Sequence, residues 1–326
     1  MDIPLRGSKT MKIVALAGGV GGAKLVDGLA QVSQSEDLTV IVNTGDDFDH
    51  LGLRICPDLD TVMYTLAGVA NPETGWGRRD DTWNALETLR QLGGPDWFRL
   101  GDRDLALSLV RTRGLGAGEP LSRIIERLGR HLGVDVRVLP MTDDSVPTIV
   151  LTDRGELPFQ EYFVALACEP EVRGFRFEGI QRARPAPGVI PSLAEADLVV
   201  LCPSNPWVSL DPILAVPGIS EAFRGKVIVG VSPIIGGSAI KGPAAKMFRE
   251  LGIEPSALAV AEHYRDRMSG LVIDIKDATL APSIRSLGLD VLAAQTVMRD
   301  RTDRRKLAAQ LLEFAVKIML QPEQNL

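Results

Sequence analysis

The sequence predicts an α/β fold built on a doubly wound, mostly parallel sheet, and three observations carry that reading. First, the apolar run at residues 12–17 (KIVALA) leads directly into a glycine turn. An amphipathic stretch then places Leu25, Leu29 and Val32 at helical spacing. Second, the runs at 38–42 (LTVIV), 197–202 (DLVVLC) and 226–231 (KVIVGV) each end in a polar or glycine-rich turn. Third, helical patterns separate these runs, with no internal repeat, low-complexity tract or flexible linker between them. One domain over residues 11–326, with a helical insertion at about 69–133, is the simplest architecture.

Composition supports such a fold and narrows the partners. The chain has 326 residues, 45% apolar and 24% charged, a normal globular balance with ample material for a core. A net charge of −6 argues against general nucleic-acid affinity. A phosphorylated ligand then needs local Arg, Lys, backbone N–H groups or a metal. Cys56, Cys168 and Cys202 are widely spaced with no CxxC pair, so they read as reduced thiols, not as a zinc or disulfide framework. No apolar run reaches the length of a membrane span. Residues 1–10 lack the apolar core of a signal peptide and read as an extension before a second possible start at Met11. A cytoplasmic location is the default expectation.

The first turn reads Gly18-Gly19-Val20-Gly21-Gly22-Ala23-Lys24. Glycines let backbone approach a phosphate, a helix N-terminus offers free N–H groups, and Lys24 adds a point charge. The pattern is not a P-loop, because Leu25 follows Lys24, and not GxGxxG, because Lys24 takes the third glycine's place. A tight turn needed only for packing is the alternative.

The stretch from 43 to 65 (NTGDDFDHLGLRICPDLDTVMYT) carries five acids: Asp46, Asp47, Asp49, Asp58 and Asp60. One acid after a second strand suits a ribose hydroxyl. Adjacent acids with more close behind suit magnesium better, since that ion prefers carboxylate oxygens and shares its shell with water and phosphates. Pro57-Asp58-Leu59-Asp60-Thr61 then starts a helix, and Asp58 alone also reads as a plain N-cap.

Within residues 69–133, helical spacing marks 80–92, 104–113 and 121–132. Trp76, Trp83 and Trp97 fall here, as core or as walls for a flat ring. Residues 98–104 (FRLGDRD) read either as a capped, solvated face or as a functional loop. Residues 134–139, 148–152 and 157–164 read as strands, with Asp143-Asp144 between the first two as a self-capped turn, a hairpin beginning at Arg173-Gly174 and a loop around 182–191. The turns after 197–202 and 226–231 put Asn205, Ser232, Gly236 and Lys241 just beyond strand carboxyl ends, where open α/β sheets bind ligands. Asn205 suits a base or ribose edge, and Ser232 and Lys241 suit phosphate; proline-rich turns are the alternative for each. Residues 257–261, 271–275 and 291–294 read as late strands, and 301–320 as an amphipathic helix whose apolar stripe packs on the sheet or on a second subunit.

Taken together, Gly18 to Leu25, Asn43 to Asp47, Cys56 to Val62, Leu100 to Asp104, Leu139 to Asp144, Pro203 to Pro206, Ser232 to Gly236 and Ala261 to Tyr264 resemble the CofD family. Its members are the 2-phospho-L-lactate transferases of coenzyme F-420 biosynthesis, phosphoenolpyruvate transferases in many bacteria. The resemblance implies a Rossmann-like fold and a magnesium-dependent reaction. A phosphorylated three-carbon acid passes from lactyl- or enolpyruvyl-diphospho-5'-guanosine to the deazaflavin Fo (7,8-didemethyl-8-hydroxy-5-deazariboflavin), and GMP leaves. Net charge and the lack of a span-length apolar run argue for no nucleic-acid and no membrane partner, and the resemblance together with the apolar C-terminal helix points to a homodimer.

On this reading Gly18, Gly19, Gly21, Gly22 and Lys24 hold the donor phosphates. Asp46, Asp47, Asp58 and Asp60 carry the metal, with Asp46, Asp47 and Asp60 as catalytic acids and one of them orienting or deprotonating the attacking hydroxyl. The resemblance assigns Asp60 and Arg99 to Fo, and Asn205, Ser232 and Gly236 to the guanosine end. Two rivals stand beside it. One is a nucleotide-sugar-binding regulator related to the gluconeogenesis factor family, which shares the glycine-rich start. The other is a dinucleotide-dependent oxidoreductase, against which the replaced third glycine counts.

Overall fold

In the computed structural model, which describes residues 10–321, the apolar runs form one seven-stranded sheet. Its strands in chain order are β1 (Ile13–Ala17), β2 (Leu38–Val42), β5 (Arg137–Pro140), β9 (Leu198–Leu201), β10 (Val227–Val231), β13 (Gly270–Asp274) and β14 (Asp290–Ala294). They lie in the order β14-β13-β10-β9-β1-β2-β5 and every neighbouring pair is parallel. The extension read at residues 1–10 lies outside the described residues, apart from Thr10.

Alternation along the strands sends side chains into two cores. Val14, Leu16, Ile41, Val199 and Leu201 face one, and Ile13, Ala15, Ala17, Val40, Val42, Leu198 and Val200 face the other. A sheet buried on both faces explains why its strands read as unbroken apolar runs. The second face is covered by α1 (Gly19–Ala30), α2 (Pro57–Leu66), α4 (Asp102–Gly116), α5 (Leu121–His131) and the C-terminal α12 (Arg301–Leu320). The apolar stripe of α12 (Leu307, Ala308, Leu311, Leu312, Ala315) is buried in this layer, where α12 lies along α1. Gly28 permits that approach, since a Cβ there would stand 2.3 Å from the Arg304 carbonyl oxygen.

The first face is covered by a small antiparallel sheet of β6 (Thr148–Thr152), β7 (Gly155–Pro158) and β8 (Val172–Phe177). Helices α6 (Val189–Glu195), α7 (Asp211–Ala215), α8 (Ile219–Ala222), α9 (Ala244–Glu250), α10 (Ala257–Tyr264) and α11 (Ala281–Arg285) complete the layer. Two hairpins, β3–β4 (Phe48–His50 and Leu53–Ile55) and β11–β12 (Ile234–Ile235 and Ser238–Ala239), stand beyond the carboxyl ends of β2 and β10. Between β2 and β5 lie α2, the short α3 (Asn84–Gln91), α4 and α5, with α5 packed on β5.

The doubly wound expectation holds, but two predicted strands do not. Residues 257–261 are helix α10: Ser256 caps the amide of Ala259 at 3.0 Å, and the buried Ala257, Val260, Ala261 and Tyr264 recur at helical spacing. The strand read at 157–164 stops at Pro158, and Glu161–Ala165 is a wide helical turn. Phe159 and Phe163, four residues apart, stack with ring centroids 5.4 Å apart, which an extended strand cannot arrange. Helix α6 also begins inside the run read as loop, at Val189.

Candidate active site

The chain winds from β1 through β2 to β5 on one side, and from β9 through β10 and β13 to β14 on the other. The switch point therefore lies between β1 and β9, and their carboxyl ends open the crevice where such sheets bind ligands. There the Ser204 hydroxyl donates to the Gly18 carbonyl at 2.7 Å and accepts from the Gly18 amide at 3.1 Å. The glycine turn packs hard against this segment. A Cβ on Gly21 would lie 2.3 Å from the Pro203 carbonyl oxygen, and one on Gly22 would lie 2.6 Å from Ser204 Oγ. Gly19 has φ +62°, which favours glycine.

The acids reach the same turn. The Gly19 amide donates to Asp58 Oδ1 at 2.7 Å, so Asp58, in the first turn of α2, closes the start of α1. Asn43, fully buried, joins the pieces: its Nδ2 donates to Asp46 Oδ1 (3.0 Å), Asp58 Oδ2 (2.9 Å) and the Val208 carbonyl (3.0 Å). Its Oδ1 accepts from the Gly45 amide at 2.8 Å, which sets the bend that carries Asp46 and Asp47.

Burial lifts the carboxyls of this group. Asp46 rises well above the usual range through desolvation, with the facing Asp58 adding to it. Desolvation also lifts Asp58, to about 6, against the hydrogen bonds from Asn43 and Gly19. Asp47 is pushed up to about 8 by burial, although the Cys56 thiol and the Arg111 and Arg54 charges oppose the shift. Asp60 is raised by burial and held down in part by Arg111, with which it forms an ion pair.

Among the described residues, no group of three or more His, Cys, Asp or Glu side chains is gathered as a ready-made metal cage. Magnesium does not require one, because it usually takes one or two carboxylates and fills its shell with water and phosphate. Asp46 and Asp58, two buried carboxyls on one Asn43 amide, fit that pattern. Close by, Asp47 Oδ1 and Thr44 Oγ1 are buried and have no hydrogen-bond partner. Both residues line a cavity of about 200 Å³ that continues to Arg54, Leu115, Leu121 and Asp143.

The other candidates are more dispersed. Lys24 Nζ donates to the Met298 carbonyl at 2.9 Å, so its ammonium is half-buried against the chain leaving β14. Asn205 Oδ1 accepts from the Trp207 amide (3.1 Å), and its Nδ2 lies 3.2 Å from Met247 Sδ. The Ser232 hydroxyl bonds within its own turn to Ile234, and the Gly236 amide donates to both carboxylate oxygens of the buried Asp277. Lys241 Nζ donates to the Glu73 and Thr74 carbonyls, tying the hairpin loop to the 71–77 turn.

The Arg99 guanidinium lies 4.6 Å from the Trp83 ring centre, beside a cavity of about 360 Å³ that Leu86 and Arg90 also line. Trp97 stands apart from Trp83's cavity, in a cluster with Phe98 and with Phe48 and His50 of the β3–β4 hairpin. Trp76 is 41% exposed, whereas Trp207 packs on Phe175 and Phe248. The Asp143-Asp144 turn is tied down by its neighbours: Asp143 accepts from the Ser122 amide and hydroxyl at the start of α5, and Asp144 from the Arg184 amide, while both residues line the Asp47 cavity.

Arg111, the largest fully buried side chain among the described residues, has no assigned role in the sequence reading. A signal was there. Leu107, Arg111 and Gly114 follow one another at helical spacing on the buried face of α4, and an arginine in such a stripe needs a charged partner.

A family model described as 2-phospho-L-lactate transferase CofD matches residues 13–313. Among curated relatives, a phosphoenolpyruvate transferase of Streptomyces griseus is 46% identical over 316 residues, covering 94% of this chain and 99% of the relative. A 2-phospho-L-lactate transferase of Methanopyrus kandleri is 41% identical over 313 residues, covering 95% and 99%. In fold the chain is similar to a UPF0052-family protein of Bacillus halodurans, with a TM-score of 0.63 at 16% identity over 94% of this chain and all of that one. A family match across nearly all of the described chain, with relatives of this identity over their full length, shows that the chain belongs to the CofD family of 2-phospho-L-lactate transferases.

Proposed function

We propose that this chain transfers a phosphorylated three-carbon acid, 2-phospho-L-lactate or phosphoenolpyruvate, from a guanosine-diphosphate-linked donor to a ribityl hydroxyl of Fo, releasing GMP, in coenzyme F-420 biosynthesis. Family membership supports the reaction class. The observation that carries the site is the joining of the acids to the glycine turn at the switch point, through Asp58 and Asn43.

In this reaction the acceptor oxygen forms a bond to the phosphorus that bears the acid. The bridging oxygen leaves with GMP, and the hydroxyl proton passes to a base or to water. Such a step needs positioning and charge neutralisation more than covalent chemistry. The N-terminus of α1 faces the donor phosphates with its positive end. Asn205, Ser232 and Gly236, beyond β9 and β10, serve the guanosine half; Asp60 and Arg99, on the β2 side, serve Fo. Asp46 and Asp58 hold magnesium, with Asp47 beside them. When bound, the metal neutralises charge on the diphosphate. Asp60 accepts the hydrogen bond that orients the attacking hydroxyl.

Among the described residues no helix is long and apolar enough to cross a membrane. Three free thiols suit a cytoplasmic enzyme. A homodimer rests on the family resemblance alone, since the apolar stripe of α12 is buried within its own chain.

The test is release of GMP, followed chromatographically with either guanosine-linked donor, magnesium and Fo. The proposal expects GMP only when Fo is present. GMP release that ignores Fo, or none with either donor, overturns it.

A further inference from the structure

The Arg111 guanidinium is fully buried, yet the helix that carries it is not part of the sheet's strand-end turns. One of its Nη atoms meets Asp60 Oδ1 and the other donates to the Arg54 carbonyl at 3.2 Å. The next residue, Thr112, accepts the Arg54 amide at 2.8 Å. Two consecutive residues of α4 thus grip both main-chain groups of one residue in β4, and the same arginine reaches on to Asp60. A buried guanidinium is tolerated only when paired, and Asp60 is the carboxylate to which it is hydrogen-bonded.

The asymmetry of the pair is informative. Arg111 is 0% exposed and bonds Oδ1, whereas the Asp60 side chain keeps 14% of its surface open. Among the described residues none hydrogen-bonds the other Asp60 oxygen, and a plain staple between α4 and α2 would have no need to leave it unbonded. An acid that must offer one oxygen to a substrate hydroxyl would be held this way, with its other oxygen fixed from behind.

We infer that Arg111 is the positioning residue of the acceptor side, clamping Asp60 through Oδ1 so that its remaining oxygen receives the acceptor's hydroxyl. This rests on the assignment of Asp60 to the acceptor in the proposed reaction. Arg111 touches no substrate; it acts through Asp60. Because α4 also holds Arg54, the clamp keeps Asp60 in register with the β3–β4 hairpin, whose Phe48 and His50 pack on Trp97 and Phe98.

The test compares Arg111→Met, Arg111→Lys, Asp60→Asn and Asp60→Asn with Arg111→Lys. Arg111→Met should lower kcat by about 10²-fold, the usual effect of a misplaced reacting group. The KM for the guanosine-linked donor should change less than about twofold, and the KM for Fo should rise. Arg111→Lys keeps the charge but loses the fork, so it should also lose about tenfold in kcat, and it serves if Arg111→Met does not fold. In the Asp60→Asn background Arg111→Lys should cost no more than about threefold further, because the residue it acts through is already disabled.

Multiplying effects in the double variant, or a folded Arg111 variant with unchanged kcat and Fo KM, overturn the inference. A crystal structure of Arg111→Lys separates this question from the transfer reading: the clamp predicts that Asp60 changes rotamer, and an unmoved Asp60 overturns it. Wild-type protein without turnover would instead count against the transfer reading.

Discussion

The backbone amide of Gly19 donates to the carboxylate of Asp58 across a sequence separation of 39 residues. The bond joins the N-terminus of α1, which offers positive dipole, to the first turn of α2, which offers negative charge. With Asn43 holding Asp46 on the same carboxylate, the glycine turn and the acids form one polar site at the switch point of the sheet. Burial and the facing Asp58 together raise the Asp46 carboxyl, so the two acids oppose each other's ionisation, and a cation held between them, as proposed above, would relieve that opposition.

That opposition gives a first prediction. Asp46→Asn removes one of two facing buried carboxyls and leaves the shape unchanged. Unfolding stability without metal should stay the same or rise by up to about 1 kcal/mol, while turnover falls by about 10²-fold or more. Chemical denaturation and steady-state kinetics on the same preparation check both halves. Loss of stability in step with loss of activity would assign Asp46 to the fold.

The glycines of the turn make a second prediction. Gly21→Ala drives a methyl group onto a backbone carbonyl, since its Cβ would lie 2.3 Å from the Pro203 oxygen. It should destabilise the protein by about 1–3 kcal/mol, the usual range for overpacking. At Gly22 the obstacle is the Ser204 hydroxyl at 2.6 Å, a side-chain atom. Gly22→Ala should therefore be partly relieved by Ser204→Ala, whereas Gly21→Ala should not. Denaturant midpoints of the single and double variants decide.

A third concerns Arg99. Its guanidinium stacks on Trp83 at the surface, so Arg99→Ala should cost no more than about 1 kcal/mol in stability. If Arg99 meets Fo, the same change should raise the KM for Fo and leave that for the guanosine-linked donor unaltered. Initial rates with each substrate varied in turn show which.

The fourth is a pH dependence. Asp102 is held down to about 2, first by the Thr82 hydroxyl and then by the Ala85 amide and Asn84 at the start of α3. A carboxyl depressed in the folded state stabilises the fold above its ordinary value of about 3.9, and this stabilisation fades as pH falls through about 2. Asp102→Asn should therefore be the less stable protein at neutral pH, and the difference from wild type should shrink on acidification across that window. Thermal midpoints measured across it test the sign.

Much of the fold was legible because a two-sided parallel sheet writes its strands as plain apolar runs, as at 38–42 and 226–231. The same plainness misled at 257–261, where a short apolar run fits strand and helix alike and the capping Ser256 was the deciding signal. In the site, Asn43, Asp46, Asp47 and Asp58 could be gathered from one stretch because the chain itself keeps them near. Arg111 could not, since its partner Asp60 lies 51 residues away on another helix. Lys24 shows the converse. It sits beside the glycine turn in sequence, but the turning helix carries its side chain towards Met298. Adjacency along the chain reports where a residue begins, and only packing reports where its side chain ends.

The transfer reaction is tested most sharply by the mass of the product formed from Fo, magnesium and each guanosine-linked donor in turn, by wild type and by Asp58→Asn. Wild type should give Fo extended by a phosphorylated three-carbon acid with at least one donor, and the donor used names the acid. This product should be lost in Asp58→Asn although the variant folds. An undiminished product from Asp58→Asn, or no extended Fo from wild type with either donor, would contradict it.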